Sequence, residues 1–143
     1  EILNEKVMKK KIPILGICVG MQILFQTSEE GSLPGLGWLP GNVVKLNQKE
    51  NINDHFHKVP HIGWNNMEVV EQHLITKKLE EECFFYFAHS FYVKTALNII
   101  STTKHIDIFP SIICKGNIYG CQFHPEKSHS SGHLFLKNFI ELI

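Results

Sequence analysis

An apolar run, Ile12-Pro13-Ile14-Leu15, is followed at once by Gly16-Ile17-Cys18-Val19-Gly20 and then by Met21-Gln22-Ile23-Leu24-Phe25. That order predicts a strand that turns abruptly into a helix, with a cysteine at the apex. The apex backbone is strained and its neighbours approach closely, so small residues are wanted on both sides of the turn. Gly16 and Gly20 supply them. Ile12 to Ile17 is apolar without alternation, as expected of a central parallel strand covered by helices on both faces. The positive end of the following helix would favour thiolate over thiol, making Cys18 a nucleophile at neutral pH. The competing reading is a thiol that fills core space, a common fate of free cysteine.

The far end of the chain bears on that choice. Ile118-Tyr119-Gly120-Cys121-Gln122-Phe123-His124-Pro125-Glu126 carries a histidine and a carboxylate separated by one residue. Residues two apart in an extended segment point to the same side, so His124 and Glu126 are expected in one line with Cys18, although Pro125 disturbs ideal strand geometry. An imidazole in that position takes the thiol proton and returns it to a leaving group, while a carboxylate fixes its tautomer and stabilises its cation.

Between these segments, Ser28 to Gly37 is dense in glycine and turn formers and reads as loop. Val43 to Leu46 reads as a strand, and the polar stretch Asn47 to Lys58 as a connection or hairpin tip. Phe84 to Val93, crowded with aromatics, is expected to be one buried strand, with another at Leu97 to Thr102. Ser111 to Lys115 and Ile118 to Phe123 flank Gly116-Asn117, a two-residue hairpin turn that delivers His124 at its exit. After Gly132, Leu134, Phe135, Asn138, Phe139, Leu142 and Ile143 recur at helical spacing and predict a C-terminal helix packed on the sheet. Strands and helices mixed in this way define an α/β sandwich.

With 143 residues the chain is expected to form one domain, 1–143. Fourteen basic residues balance 14 acidic ones, and the densest basic run, Lys9-Lys10-Lys11, reads as a solvated helix end; nucleic acid is not expected as a partner. No segment is apolar for long enough to cross a bilayer, and Glu1 to Lys11 does not read as a secretory signal. A cytoplasmic setting is expected. Cys18, Cys83, Cys114 and Cys121 show no C-x-x-C spacing, so neither zinc nor a disulfide framework is predicted, and the last three are expected to be core thiols. His129 and His133 have a zinc-compatible i, i+4 spacing, and His55 and His57 flank Phe56, but neither pair has a suitably spaced third ligand. No metal or cofactor is expected.

The chain resembles the class I, triad-type glutamine amidotransferases, and within them the glutaminase subunits of imidazole glycerol phosphate synthases. The resemblance is carried by Gly16-Ile17-Cys18-Val19-Gly20-Met21-Gln22, Val59-Pro60-His61-Ile62-Gly63-Trp64-Asn65, Tyr86-Phe87-Ala88-His89-Ser90-Phe91-Tyr92 and Tyr119-Gly120-Cys121-Gln122-Phe123-His124-Pro125-Glu126-Lys127-Ser128, in family order. It implies a flavodoxin-like three-layer sandwich with a mostly parallel central sheet and a C-terminal hairpin. It also implies an N-terminal strand and a Gly-rich loop upstream of Glu1, so the stretch given is expected to be N-terminally incomplete. That loop would supply one oxyanion donor. The Val19 N–H is then the one such donor assignable here, and loss of a donor typically costs about 10²–10³ in rate.

By the same resemblance Cys18 attacks the carboxamide of glutamine, His124 is base and acid, and Glu126 orients it. Gln22, one turn beyond Cys18, would contact substrate; the alternative, on position alone, is an ordinary helix-surface amide. Ser90 and Phe91 match the strand end that receives the amino-acid end of glutamine, with Phe91 in place of the family's tyrosine. Trp64, Tyr86 and Lys127 match positions held against a (β/α)₈-barrel synthase (cyclase) subunit, which receives the ammonia in a heterodimer. Without the resemblance, Trp64 reads as a core residue beside a turn and Lys127 as a surface charge. His61 and His89 are expected to be satisfied, partly buried histidines.

Three other outcomes stay open. One is a paralogous glutaminase supplying ammonia for amidation of a surface-polysaccharide sugar; the others are a non-catalytic binding subunit and a cysteine hydrolase of different specificity.

Overall fold

A computed structural model describes residues 1–47, 58–79 and 83–143. Most of the polar stretch after Asn47, with its His55 and His57, lies outside the described residues.

The chain opens with a short helical segment, α1 (Ile2–Asn4), that widens into a π-helical turn over Glu5–Lys9, and then enters β1 (Ile14–Ile17). Val7 is the buried anchor of that segment, while Ile2 and Leu3 stay exposed. β1 is followed by the single helical turn α2 (Val19–Gln22). The helix expected to run to Phe25 stops there, and the segment beyond it is held by the following loop instead. The N–H groups of Leu36, Gly37 and Trp38 bond Ile23, Phe25 and Leu24 oxygens at 2.7, 3.0 and 3.0 Å. The Gly-rich loop thus folds back onto the end of α2, and Leu24 and Phe25 are buried beneath it.

Among the described residues three sheets follow. β2 (Thr27–Ser28) and β3 (Asn42–Lys45) pair in parallel, and β3 pairs antiparallel with β7 (Phe91–Lys94). β4 (His61–Asn66) pairs antiparallel with β6 (Phe84–His89). The third and largest sheet takes β1, β5 (Glu68–Val69), β8 (Ile99–His105), β9 (Asp107–Lys115) and β10 (Ile118–Cys121), in the order β1-β10-β9-β8-β5.

Two expectations change here. In the five-stranded sheet of the described residues only β1 and β10 run parallel, so this part of the sheet is not mostly parallel. Connection length is the reason: β8 reaches β9 through Ile106, and β9 reaches β10 through Gly116-Asn117 with Gly116 at φ 61°. Links so short can only reverse direction, whereas a parallel pair needs a long crossover. Likewise the stretch Phe84 to Val93 is two strands in two sheets. Its inward alternation of Phe85, Phe87 and His89 breaks at Ser90, beyond which Tyr92 and Val93 are both buried. Ser90 bends the chain, and its carbonyl accepts from the Leu46 N–H at 2.9 Å.

The C-terminal helix α3 (His129–Leu142) begins three residues before the glycine expected to precede it. Gly132 lies inside α3 because the helix packs against Pro125: a Cβ there would come within 2.8 Å of the Pro125 carbonyl carbon. Phe135 inserts into the core, its ring centroid 5.1 Å from that of Phe123, and Phe123 lies 4.2 Å from Phe85. Each fully buried ring of this cluster contributes roughly 1.5–3 kcal/mol. Asn138 fastens the same face by donating to the Ile75 and Lys77 carbonyls at 3.0 and 2.8 Å.

Candidate active site

Cys18 sits between β1 and α2 at φ 52° and ψ −111°, a left-handed conformation that costs a non-glycine residue about 1–3 kcal/mol. Hydrogen bonds hold it there. Its N–H donates to the Cys121 carbonyl at 2.8 Å, and its own carbonyl accepts from Met21 and Gln22 at 3.0 and 3.2 Å. The turn closes so tightly that a Cβ on Gly16 would meet the Gly20 carbonyl carbon at 2.6 Å and the Met21 nitrogen at 2.7 Å. Gly20 differs from expectation: a Cβ there meets nothing within 4 Å. The close approach belongs to Gly16 on one side and to the backbone of residues 20 and 21 on the other.

The sulfur is half-buried among polar groups. The Gln122 side-chain amide donates to it at 3.6 Å, the neighbouring Val19 N–H favours its charged form, and its own S–H faces the Ala88 carbonyl at 3.9 Å. Burial nevertheless raises the Cys18 pKa above its ordinary value. The two donors work against that shift, and the charges of Glu126 and Glu30 add to it. The expectation of a thiolate at neutral pH is therefore corrected. The helix that was to stabilise it is a single turn, and desolvation outweighs its N–H groups. Cys18 rests as a thiol, and ionising it requires a base.

The pairing of β1 with β10, Ile17 opposite Cys121, brings the third segment alongside. Three residues beyond Cys121, His124 donates its backbone N–H to the Tyr86 carbonyl at 2.8 Å. The Ser128 hydroxyl donates to the His124 carbonyl at 2.6 Å and accepts from the Tyr86 N–H at 2.9 Å. His124 is thus fixed between β6 and the chain that follows it. Its Nδ1 lies 2.7 Å from Glu126 Oε1. The reason differs from the one predicted: Pro125–Lys127 form a 3₁₀ turn, so the carboxylate curls back to the imidazole instead of following it along a strand. Glu126 is close enough to Cys18 for its charge to raise the thiol pKa.

A cleft of about 380 Å³ opens beside the thiol, lined by Cys18, Val19, Gln22 and Glu30 on one side and by Ala88, His89, Ser90 and Phe91 on the other. This lining includes neither His124 nor Glu126. Gln22 is not a helix-surface amide. It is buried, and its Nε2 donates to the Phe91 carbonyl at 2.9 Å and to Gln122 Oε1 at 3.1 Å. The Phe91 carbonyl also accepts from His89 Nδ1 at 2.8 Å.

Trp64, Tyr86 and Lys127 form a separate cluster. Trp64 faces Tyr86 across the β4–β6 pair, with ring centroids 5.8 Å apart, and lies over His129 at 5.2 Å in a stacked arrangement. Lys127 Nζ stands 5.9 Å from the centre of the Tyr86 ring. At 48 % exposure Trp64 is not the core residue of the alternative reading.

Gln122 is a site residue that sequence reasoning passed over. The same period of two that was applied to His124 and Glu126 places Gln122 and His124 on one side of an extended chain, and that signal was available. The Ala88 carbonyl carried no such signal, since its position depends on the β4–β6 pairing.

With this geometry in place, the chain compares closely with known proteins. The model of the class-I glutamine amidotransferase family matches residues 2–142, and the chain belongs to that family, whose members hydrolyse glutamine. It is 44 % identical over 143 residues to a protein named imidazole glycerol phosphate synthase subunit HisH 2 from Methanococcus maripaludis, covering 99 % of this chain and 68 % of the relative. It is 42 % identical over 144 residues to subunit HisH from Leptospira borgpetersenii, covering 99 % and 70 %. A solved glutamine amidotransferase from Thermotoga maritima superposes with a TM-score of 0.60 at 22 % identity, covering 98 % of this chain and half of that one, which shows the shared α/β fold.

Proposed function

We infer that the protein is a glutaminase subunit that delivers ammonia to a (β/α)₈-barrel synthase in histidine biosynthesis, with Cys18, His124 and Glu126 as its catalytic residues. The observation that carries the reading is the thiol at a strained strand-to-helix turn, anchored to the end of the strand from which His124 and its bonded Glu126 emerge.

In this reading His124 removes the Cys18 proton as the sulfur attacks the side-chain carbonyl carbon of glutamine. The C–N bond then breaks, and the same proton leaves on the departing nitrogen as ammonia. That transfer is needed because an amide nitrogen is a poor leaving group. Water attacks the resulting thioester with His124 again as base, freeing glutamate and the thiol. Glu126 keeps the Nδ1 proton in place, so that Nε2 is the nitrogen available to exchange protons. The Val19 N–H, next to the nucleophile, donates to the oxyanion. Ser90 and Phe91 present backbone to the amino-acid end of glutamine, and Gln22 holds the Phe91 carbonyl in place.

Ammonia must arrive unprotonated, because ammonium has no lone pair with which to attack. That requires a sealed seam with the acceptor subunit. The half-exposed Trp64, packed on Tyr86 and His129 with Lys127 beside them, has the aromatic and cationic character that carries interface energy. The relatives named as HisH subunits support the histidine pathway as the destination.

Rescue of a histidine-requiring strain lacking its own glutaminase subunit tests that destination. Growth without histidine supports the reading. Failure to rescue, together with glutamine hydrolysis stimulated by a sugar-modifying partner, assigns the protein to the sugar branch instead.

A further inference from the structure

Three histidines meet behind the cleft. His61 and His89 are cross-strand partners on β4 and β6, both buried, with His61 Nδ1 2.9 Å from His89 Nε2. His105 of β8 stacks on His61 at 3.9 Å between ring centres and donates through Nε2 to the Lys58 carbonyl at 2.8 Å. Phe87 and Phe109 close the remaining sides.

The hydrogen-bond partners fix every proton in this chain. A carbonyl can only accept, so His89 Nδ1, 2.8 Å from the Phe91 oxygen, carries hydrogen. In a neutral ring His89 Nε2 is then an acceptor, and the His61 Nδ1 facing it must be the donor. That leaves His61 Nε2 as an acceptor for the Asn65 amide, 3.3 Å away, which also donates to the Lys104 carbonyl at 3.1 Å. The direction of donation therefore runs Asn65 to His61 to His89 to the Phe91 carbonyl. Gln22 donates to that same oxygen and to Gln122, and Gln122 donates to the Cys18 sulfur.

We propose that His61 and His89, both neutral with the proton on Nδ1, are positioning residues for the glutamine end of the cleft, holding the Phe91 carbonyl against which the Gln22 amide is also set. This deepens the glutaminase reading and rests on it. A proton added to His89 would set two N–H groups against each other across 2.9 Å, and one added to His61 would set its Nε2–H against the Asn65 amide at 3.3 Å. The surroundings oppose such a proton. Burial, His105 and His89 lower the pKa of His61 to about 3. Burial, His105 and His124 lower that of His89 to about 4, against the Phe91 carbonyl, which favours the charged ring.

Two measurements test the proposal on the intact protein. Proton–nitrogen correlation spectra of the imidazoles should show Nδ1–H at both His61 and His89 and no imidazolium at either at pH 6. An Nε2–H form of His89, or a charged ring at that pH, overturns it. In glutamine hydrolysis, His61→Leu should raise KM about tenfold, the net worth of one buried hydrogen bond, with kcat little changed. His61→Asn, whose amide N–H stands where the Nδ1–H stood, should restore most of it. A leucine variant that loses kcat at unchanged KM, or an asparagine variant no better than leucine, also overturns it. If the unaltered protein fails to hydrolyse glutamine, the functional reading fails instead, and the spectra still decide the tautomers.

Discussion

Glu126 Oε1 lies 2.7 Å from His124 Nδ1, across a 3₁₀ turn whose intervening residue is Pro125. Proline at the start of that turn presets the backbone and needs no hydrogen bond for its nitrogen, so the carboxylate returns to the ring at little entropic cost.

His124→Ala should lower glutamine turnover by about 10²–10⁴, the usual span for removing a general base. Glu126→Gln removes the charge and keeps the shape. A hydrogen bond to a charged group is worth about 1.5–3 kcal/mol, so a fall of roughly 10- to 100-fold in kcat is expected, smaller than that of His124→Ala. Steady-state kinetics of both variants checks the order.

Burial holds the Cys18 pKa above its ordinary value of 9.0, so the thiol form predominates at pH 7. Alkylation of Cys18 by iodoacetamide should be slower at pH 7 than that of a free cysteine and should keep climbing past pH 9. Glu30→Gln, which removes one of the charges that raise the pKa, should shift that rise to lower pH. Mass-spectrometric rates as a function of pH measure both.

The paired histidines add an acid limit to stability. The folded pKa values of His61 and His89 lie at about 3 and about 4, below the ordinary 6.5, so the folded state binds fewer protons than the unfolded one. Their contribution is complete above pH 6.5 and declines as pH falls from there toward 4 and 3. The urea midpoint should therefore drop between pH 7 and pH 4. A double variant, His61→Asn with His89→Asn, should show a flatter profile over the same window.

Gly16 and Gly20 look alike in the sequence and behave differently in the fold. Gly16→Ala forces a Cβ into the backbone of residues 20 and 21 and should destabilise by about 1–3 kcal/mol, the range for overpacking a close contact. Gly20→Ala meets open space and should be neutral within about 0.5 kcal/mol. Thermal melts of the two variants make the comparison.

These results mark what the chain discloses on reading. The strand-to-helix turn at Cys18, the hairpin at Gly116-Asn117 and the C-terminal helix were legible because local composition dictates them. The split of the aromatic stretch at Ser90 was not, since a bend between sheets depends on the strands that receive each half. The length of α2 was hidden for a similar reason: the Ile23, Leu24 and Phe25 segment beyond it is bonded by Leu36, Gly37 and Trp38, more than ten residues on. At the site, residue types and spacing pointed to Cys18, His124 and Glu126. The rest state of the thiol was misread because desolvation is a property of the packed molecule. The bond between His61 and His89 depends on a register that places them opposite one another, and no local pattern encodes it.

Glutamine turnover by the intact protein with the barrel subunit proposed as its partner, measured for the unaltered chain and for Cys18→Ser, decides whether Cys18 is the nucleophile. The account predicts steady release of glutamate by the unaltered protein and a fall to background in the serine variant. Equal turnover by the two would contradict it.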